Sequence, residues 1–284
     1  MNSPAAPTLT LNNGVMMPRL GLGTWPLDGR DAEHAVVTAL HRGYRLIDTA
    51  SSYGNEPAVG RGIRASGLRR KDVFVTTKLH GEDHGYDSAL RAFETSLTEL
   101  NFDYVDLYLI HWPVPSKGLF VDTWRALQKL MADGQVRAIG VSNFKPAHIE
   151  RLIDETGVTP AVNQIQLHPQ TSQRELRAYH RTRGIVTESW SPLGQGSDLL
   201  DAPEIHEIAA RQRRSPGQIV LRWHMELGLI AIPKSGNPSR IAANIDIFDF
   251  TLTAGEVDTL SALDTGAKPP VDSDVTQPGL RRDA

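Results

Sequence analysis

The sequence predicts an α/β chain folded as a (β/α)8 TIM barrel, and three observations lead there. Short apolar runs rich in β-branched residues recur, with strong starts at 46, 73, 105, 136, 161, 185 and 229. The steps between starts are 24 to 32 residues, one strand–helix unit each, except the last, which is 44. The length, 284 residues, is close to the roughly 250 of such a barrel.

The elements follow in order. Leu9 to Leu11 and Val15 to Met17 alternate around Asn12-Asn13-Gly14, an Asn-Gly hairpin signal, and the hairpin is expected to plug the bottom of the barrel. A weak first strand lies near Arg19 to Gly23. Stronger ones follow at Leu46–Asp48, Val73–Thr77, Val105–Ile110, Val136–Val141, Ala161–Ile165, Ile185–Trp190 and Leu229–Ile232, eight in all. Between them the apolar spacing becomes helical: Ala35, Val36, Ala39 and Leu40 share one face, as do Leu90, Phe93, Leu97 and Leu100, and Trp124, Leu127, Leu130 and Met131.

The long last interval holds two helices. One runs from Pro203 to Gln212; the other opens at Ser215-Pro216, a cap followed by proline at the first helical position. The last helix of the barrel is expected to end near Phe248. After Asp264 the chain is polar and carries Pro269, Pro270 and Pro278, so it reads as a C-terminal loop folded over a rim. Strands alternating with helices imply parallel pairing through right-handed crossovers. Residues 1–284 read as a single domain; an open doubly wound sheet is the alternative.

Composition narrows the function. Hydrophobic residues make up 40% and charged residues 22%, as in globular proteins. Thirty Lys and Arg stand against 33 Asp and Glu, a net charge of −3, which argues against a nucleic-acid or membrane-surface partner. Cysteine is absent, which excludes disulfides, thiolate nucleophiles and Cys-held metals. Met1 to Ala6 has no cationic, apolar leader, and no stretch nears the roughly 18 apolar residues of a membrane span, so a cytoplasmic location is expected.

In a parallel barrel the chemistry gathers where strands end. There the sequence places Asp48 with Tyr53 just beyond, Lys78, His111, Ser142-Asn143, Gln164 with His168 after it, Trp190-Ser191, and Lys234-Ser235. An ammonium beside a phenol lowers its pKa, and an aspartate keeps that ammonium charged. An imidazole orients the same substrate oxygen. Asp48, Tyr53, Lys78 and His111 together can protonate an oxyanion as hydride reaches the carbonyl carbon. No side chain supplies hydride, so a cofactor is required. Ser142, Asn143 and Gln164 suit a carboxamide, Trp190 a flat ring, and Lys234, Ser235 and Arg240 a phosphate monoester. Gly60 to Ala65 matches a dinucleotide fingerprint, but no strand precedes it and it reads as part of a helix. His80 and His84 read as solvated loop residues.

Several stretches together resemble the aldo-keto reductase superfamily: Gly43 to Ala50, Tyr53 to Glu56, Thr76 to Leu79, Asp106 to Pro113, Gly140 to Phe144, and Ile232 to Ser235. Within it, Asn163 to Pro169 and Glu188 to Gly196 look closest to bacterial 2,5-diketo-D-gluconate reductases. The resemblance implies a monomeric barrel that binds NADPH without a Rossmann fold. It implies Tyr53 as general acid, Lys78 and Asp48 as its tuning pair, and His111 as the carbonyl orienter. It implies cofactor contacts from Ser142, Asn143, Gln164 and Trp190, a pyrophosphate along the loop from Ser191 through Leu193, 2′-phosphate binding by Lys234, Ser235 and Arg240, and adenine contact by Asn244. The chain departs from the family pattern at Gly236-Asn237 and at Ala243, both of which bear on cofactor affinity; loss of the second cation after Lys234-Ser235 would relax discrimination against NADH.

Trp25, Trp112 and Phe120 would line the substrate pocket, for small dicarbonyls, aromatic aldehydes or keto sugars. Two other readings stand beside this one. A metal-dependent hydrolase would use Asp48, His111 and His168 as ligands, but it leaves Tyr53 and Lys78 idle, so no metal is expected. A non-catalytic NADPH-binding sensor would use the same barrel without turnover.

Overall fold

The computed structural model describes residues 6–266 and 272–274. The chain begins with an antiparallel hairpin, β1 (Thr8–Thr10) and β2 (Met16–Pro18), with Leu9 opposite Met17. Gly14 turns it at φ 86°, a conformation that costs glycine little. Leu11 and Met17 are buried against Leu46, Phe74, Leu107, Ala138, Val162 and Ile230, which stand low in the barrel interior. Asn13 Nδ2 donates to the Arg137 carbonyl at 2.9 Å and Asn12 Nδ2 to that of Pro160 at 3.1 Å. The hairpin therefore stoppers the bottom, as the alternation predicts.

The barrel follows as β3 (Leu22–Gly23), α1 (Gly29–His41), β4 (Leu46–Asp48), α2 (Glu56–Ala65), β5 (Phe74–Leu79), α3 (Tyr86–Leu100), β6 (Val105–Ile110) and α4 (Phe120–Ala132). It continues with β7 (Val136–Ser142), α5 (Pro146–Thr156), β8 (Val162–Gln166), α6 (Arg174–Thr182) and β9 (Val186–Trp190). Then come α7 (Pro203–Gln212), α8 (Pro216–Glu226), β10 (Ile230–Ala231), α9 (Pro238–Ile245) and α10 (Ala254–Ser261). Neighbouring strands from β3 to β10 pair parallel in chain order. Parallel bridges from Leu20 to Ala231 and from Gly23 to Lys234 join the last strand to the first and close the barrel.

The period of two decides what enters the interior. On β5, Phe74 packs inside the barrel while Val75 and Leu79 face the helices, so Lys78 shares the inner face with Phe74. By the same alternation Asp48 stands above Leu46, Gln164 above Val162, and Glu188 between Val186 and Trp190. The inner faces thus pass from apolar at the plugged end to polar at the strand ends.

Outside, the helices follow the expected faces; Trp124, Leu127 and Leu130 of α4 are buried. Ser215 caps α8 reciprocally: its Oγ accepts Gln218 N at 3.4 Å and its own N donates to Gln218 Oε1 at 3.0 Å. The fingerprint-like glycines lie within α2, where they permit close packing. A side chain at Gly60 would meet the Leu100 carbonyl at 2.1 Å, and one at Gly62 the Glu33 carbonyl at 2.9 Å.

The C-terminus corrects one expectation. Beyond Phe248 the chain forms α10, opened by a Thr253–Glu256 capping box and tied to α8 by Trp223 Nε1 donating to Ser261 Oγ at 2.9 Å. Its apolar face is short, with only Glu256 and Leu260 buried, so periodicity gave little warning. Of the expected C-terminal loop, Asp272 to Asp274 are described, and Lys145 and His148 hold Asp274; Pro269, Pro270 and Pro278 lie outside the described residues.

Candidate active site

The polar strand ends open into a cleft of about 1010 Å³. Its floor is a set of fixed charges. Lys78 Nζ, fully buried, donates to Asp48 Oδ1 at 2.6 Å and to the Thr49 carbonyl at 2.9 Å, and lies 3.3 Å from the Tyr53 hydroxyl. Ser51 Oγ donates to the Lys78 carbonyl at 3.0 Å, tying the short helical turn that carries Tyr53 to β5. Tyr53 and His111 meet edge to face, ring centroids 5.7 Å apart. The four residues singled out from three neighbouring strand ends thus form one cluster.

Their electrostatics differ in part from expectation. Burial opposes the Lys78 charge, yet Asp48 and Tyr53 overcome it and the ammonium is held above its ordinary pKa. Burial raises the Asp48 carboxyl above its ordinary range, and Lys78 and Gln164 oppose this without reversing it. For Tyr53, burial also dominates and raises the phenol; Lys78 opposes this without reversing it. The expected lowering of the phenol is therefore corrected: Tyr53 is held firmly protonated. Burial, aided by the Lys78 charge, drives His111 well below the ordinary histidine value, so its ring is neutral.

Beside this floor runs a chain of amides. Gln164 Nε2 donates to Asp48 Oδ2 at 2.8 Å. Trp190 Nε1 donates to Asn143 Oδ1 at 2.9 Å, and Asn143 Nδ2 donates to the His111 carbonyl at 3.1 Å and to Ser142 Oγ at 2.9 Å. Ser142 in turn donates to the Gln164 carbonyl at 2.9 Å. Ser142 is buried and props Asn143 instead of lining the cleft itself. Asn143 and Ser191 both hold the left-handed backbone, at φ 62° and 49°, each directly after a strand. Such strain persists only where packing enforces it, and it gathers at functional sites.

At the far end stand Lys234, Ser235, Arg240 and Asn244, all on the cleft wall. Asn237 caps α9 by accepting from Ser239 N at 2.9 Å and Arg240 N at 3.1 Å, which fixes the helix start that carries the exposed Arg240. Ser191 and Leu193 join the two ends.

Trp25 and Trp112 line the mouth, Trp25 half exposed. Phe120 does not. It is buried at the start of α4, packed edge-on against Phe144 and His148, so its assignment to the pocket is corrected. His84 is likewise buried, and burial takes its pKa down to about 4; of the two loop histidines, His80 borders the cleft. His168 bridges to Thr171, away from Asp48 and His111. The residue that sequence reasoning missed is Glu188, whose Oε2 accepts from Gln164 Nε2 at 2.9 Å. Its signal was a carboxylate on the same strand face as Trp190.

A closed parallel barrel with a buried lysine–carboxylate pair under a tyrosine defines a barrel enzyme. Residues 19–265 match the model of the Aldo/keto reductase family. The crystal structure of an aldo/keto reductase from Brucella melitensis is 55% identical, with a TM-score of 0.89, covering 92% of this chain and 100% of that one. The methylglyoxal reductase DkgA of Yersinia pestis is 48% identical over 263 residues, 92% of this chain and 94% of its own. The crystal structure of a Gox0644 variant in complex with NADPH is 44% identical, with a TM-score of 0.92 and coverage of 96% and 99%. The chain belongs to the aldo-keto reductase family and is an oxidoreductase of that family.

Proposed function

We propose that this chain uses NADPH to reduce small carbonyl compounds to alcohols, with Tyr53 as the general acid. The observation that carries the reading is Lys78 Nζ set 2.6 Å from Asp48 and 3.3 Å from the Tyr53 hydroxyl at the floor of the cleft. The NADPH-bound relative supports the cofactor. So does the cleft itself, whose lining runs from Tyr53 past Asn143, Gln164 and Trp190 to Lys234 and Arg240 in a volume of about 1010 Å³. Gln164 and Asn143 would hold the carboxamide, with Ser142 acting through Asn143. Trp190 would stack on the ring. Ser191 and Leu193 would flank the pyrophosphate, Lys234, Ser235 and Arg240 the 2′-phosphate, and Asn244 the adenine.

NADPH, when bound, supplies the hydride. The chain's residues handle the oxygen. A substrate carbonyl oxygen placed between the Tyr53 hydroxyl and neutral His111 accepts a bond from each. As negative charge grows on that oxygen, Tyr53 passes its proton to it. Lys78 supports the phenolate left behind, and Asp48 keeps Lys78 charged and in place. General acid catalysis of this kind contributes about 10²- to 10⁴-fold. The phenol's raised pKa keeps the acid loaded at neutral pH. Trp25 and Trp112 give the mouth an aromatic wall suited to small α-dicarbonyls, aromatic aldehydes and keto sugars, and the methylglyoxal reductase relative favours the first.

Loss of NADPH absorbance against a panel of these carbonyls, with Tyr53→Phe alongside, tests the reading. Turnover by the wild type and its loss in Tyr53→Phe are expected. Equal turnover by both would refute Tyr53 as the acid, and NADPH binding with no turnover on any carbonyl would refute reductase activity on these classes.

A further inference from the structure

The mechanism leaves Glu188 without a task, yet it is fully buried inside the barrel beside Asp48. One nitrogen, Gln164 Nε2, serves both carboxyls, at 2.8 Å from Asp48 Oδ2 and 2.9 Å from Glu188 Oε2. Asp48 is held against Lys78 and needs a donor on its other oxygen, so the Gln164 amide can face only one way, nitrogen to the carboxyls. The other Glu188 oxygen, Oε1, is buried with no hydrogen-bond partner. An anion in that setting is disfavoured against the neutral acid.

The charged groups facing Glu188 are Asp48 from β4 and Lys78 from β5, with Tyr53 beyond Lys78. From the flanking strands, β8 offers the neutral Gln164 and β10 the apolar Ile230. Burial first, and then the charge of Asp48, hold the Glu188 carboxyl up at about 8.

We propose that Glu188 is a positioning residue that clamps Gln164 and, by gaining or losing one proton, sets which oxidation state of the nicotinamide the site prefers. The inference rests on the cofactor reading above, since Gln164 and Trp190 border the cleft. With Glu188 protonated, the interior holds one balanced pair, Asp48 and Lys78, which suits the uncharged reduced ring. With Glu188 ionised, the proton has left to solvent and one net negative charge lies beneath the ring site, which suits the cationic oxidised ring. No electron moves in this step.

The test is binding of NADPH and of NADP⁺, each followed by protein fluorescence, from about pH 6.5 to about pH 9, a span that brackets a carboxyl held above neutrality. In the wild type the ratio Kd(NADPH)/Kd(NADP⁺) is expected to rise by about fivefold or more with pH. Titration of the 2′-phosphate is common to both nucleotides and cancels in the ratio. In Glu188→Gln the amide oxygen can still accept from Gln164 but cannot ionise, and the ratio is expected to stay flat. A flat ratio in the wild type overturns the proposal without recourse to any variant, as does a Glu188→Gln protein that keeps the wild-type rise. Failure of both nucleotides to bind would overturn the cofactor reading and this inference together, whereas binding of both with a flat ratio overturns this inference alone.

Discussion

The two ends of the cleft are built differently. At the floor, Lys78 is fully buried and its ammonium is shared among Asp48, Thr49 and Tyr53. At the far end, Lys234 and Arg240 are exposed, and Arg240 reaches Ser235 Oγ at 3.4 Å. The difference matches two tasks. Proton delivery needs atoms fixed before the substrate arrives, because reorganisation during the reaction adds to the barrier. Holding a phosphate at the surface needs charge within reach and tolerates loose side chains.

Substitutions can break this contrast. Lys78→Met should have the largest effect, since it strands the buried Asp48 carboxylate. Stability is expected to fall by about 3–5 kcal/mol in denaturant titration, with turnover lost as well. An undiminished unfolding midpoint would show that the pair is not the strut it looks to be. Tyr53→Phe should lower kcat by about 10²- to 10⁴-fold while NADPH affinity, read by fluorescence, stays within a factor of about two. Parallel loss of affinity would blur the line between the two ends.

Leu11→Ala, in the plug, should cost about 2–3 kcal/mol of stability and leave kcat alone, because it touches neither end of the cleft. Arg240→Ala should raise KM for NADPH about tenfold, or about 1.4 kcal/mol, and hardly change KM for NADH. Equal changes for both would remove the phosphate from that end.

The smallest expected effect is an absence of change. The Tyr53 phenol is raised, so it stays protonated through and beyond its ordinary range; the His111 imidazole is lowered, so it stays neutral below 6.5. The kcat profile for reduction should therefore show no step near pH 6.5. A step there, absent from a His111→Gln comparison, would mean that His111 titrates normally.

Much of this was legible because the barrel writes two periods into the chain. Eight strand starts and the polar residues at their ends could be read from alternation and spacing, and so could the hairpin around Asn12 to Gly14. Direction and burial were not legible. Phe120 sits near the rim in sequence, but the first turn of α4 aims it at Phe144, and spacing cannot report that. His84 looks like a loop residue and is buried. The sign of the Tyr53 shift turned on how much water burial removes, a three-dimensional quantity that outweighs a visible neighbour such as Lys78. Glu188 was passed over as one more strand residue because its importance lies in sharing Gln164 with Asp48, from two strands that lie far apart in the chain.

The hairpin that packs Leu11 and Met17 into the barrel base makes the interior a blind alley. Among the described residues, the way to Lys78 and Tyr53 is the cleft bordered by Trp25 and Trp112. Were the cofactor and carbonyl of the proposed reaction both to lie in such an alley, the one seated deeper would enter first and depart last. A stopper of a few apolar side chains at one end of the molecule would thereby impose a sequence on traffic at the other, without touching either traveller.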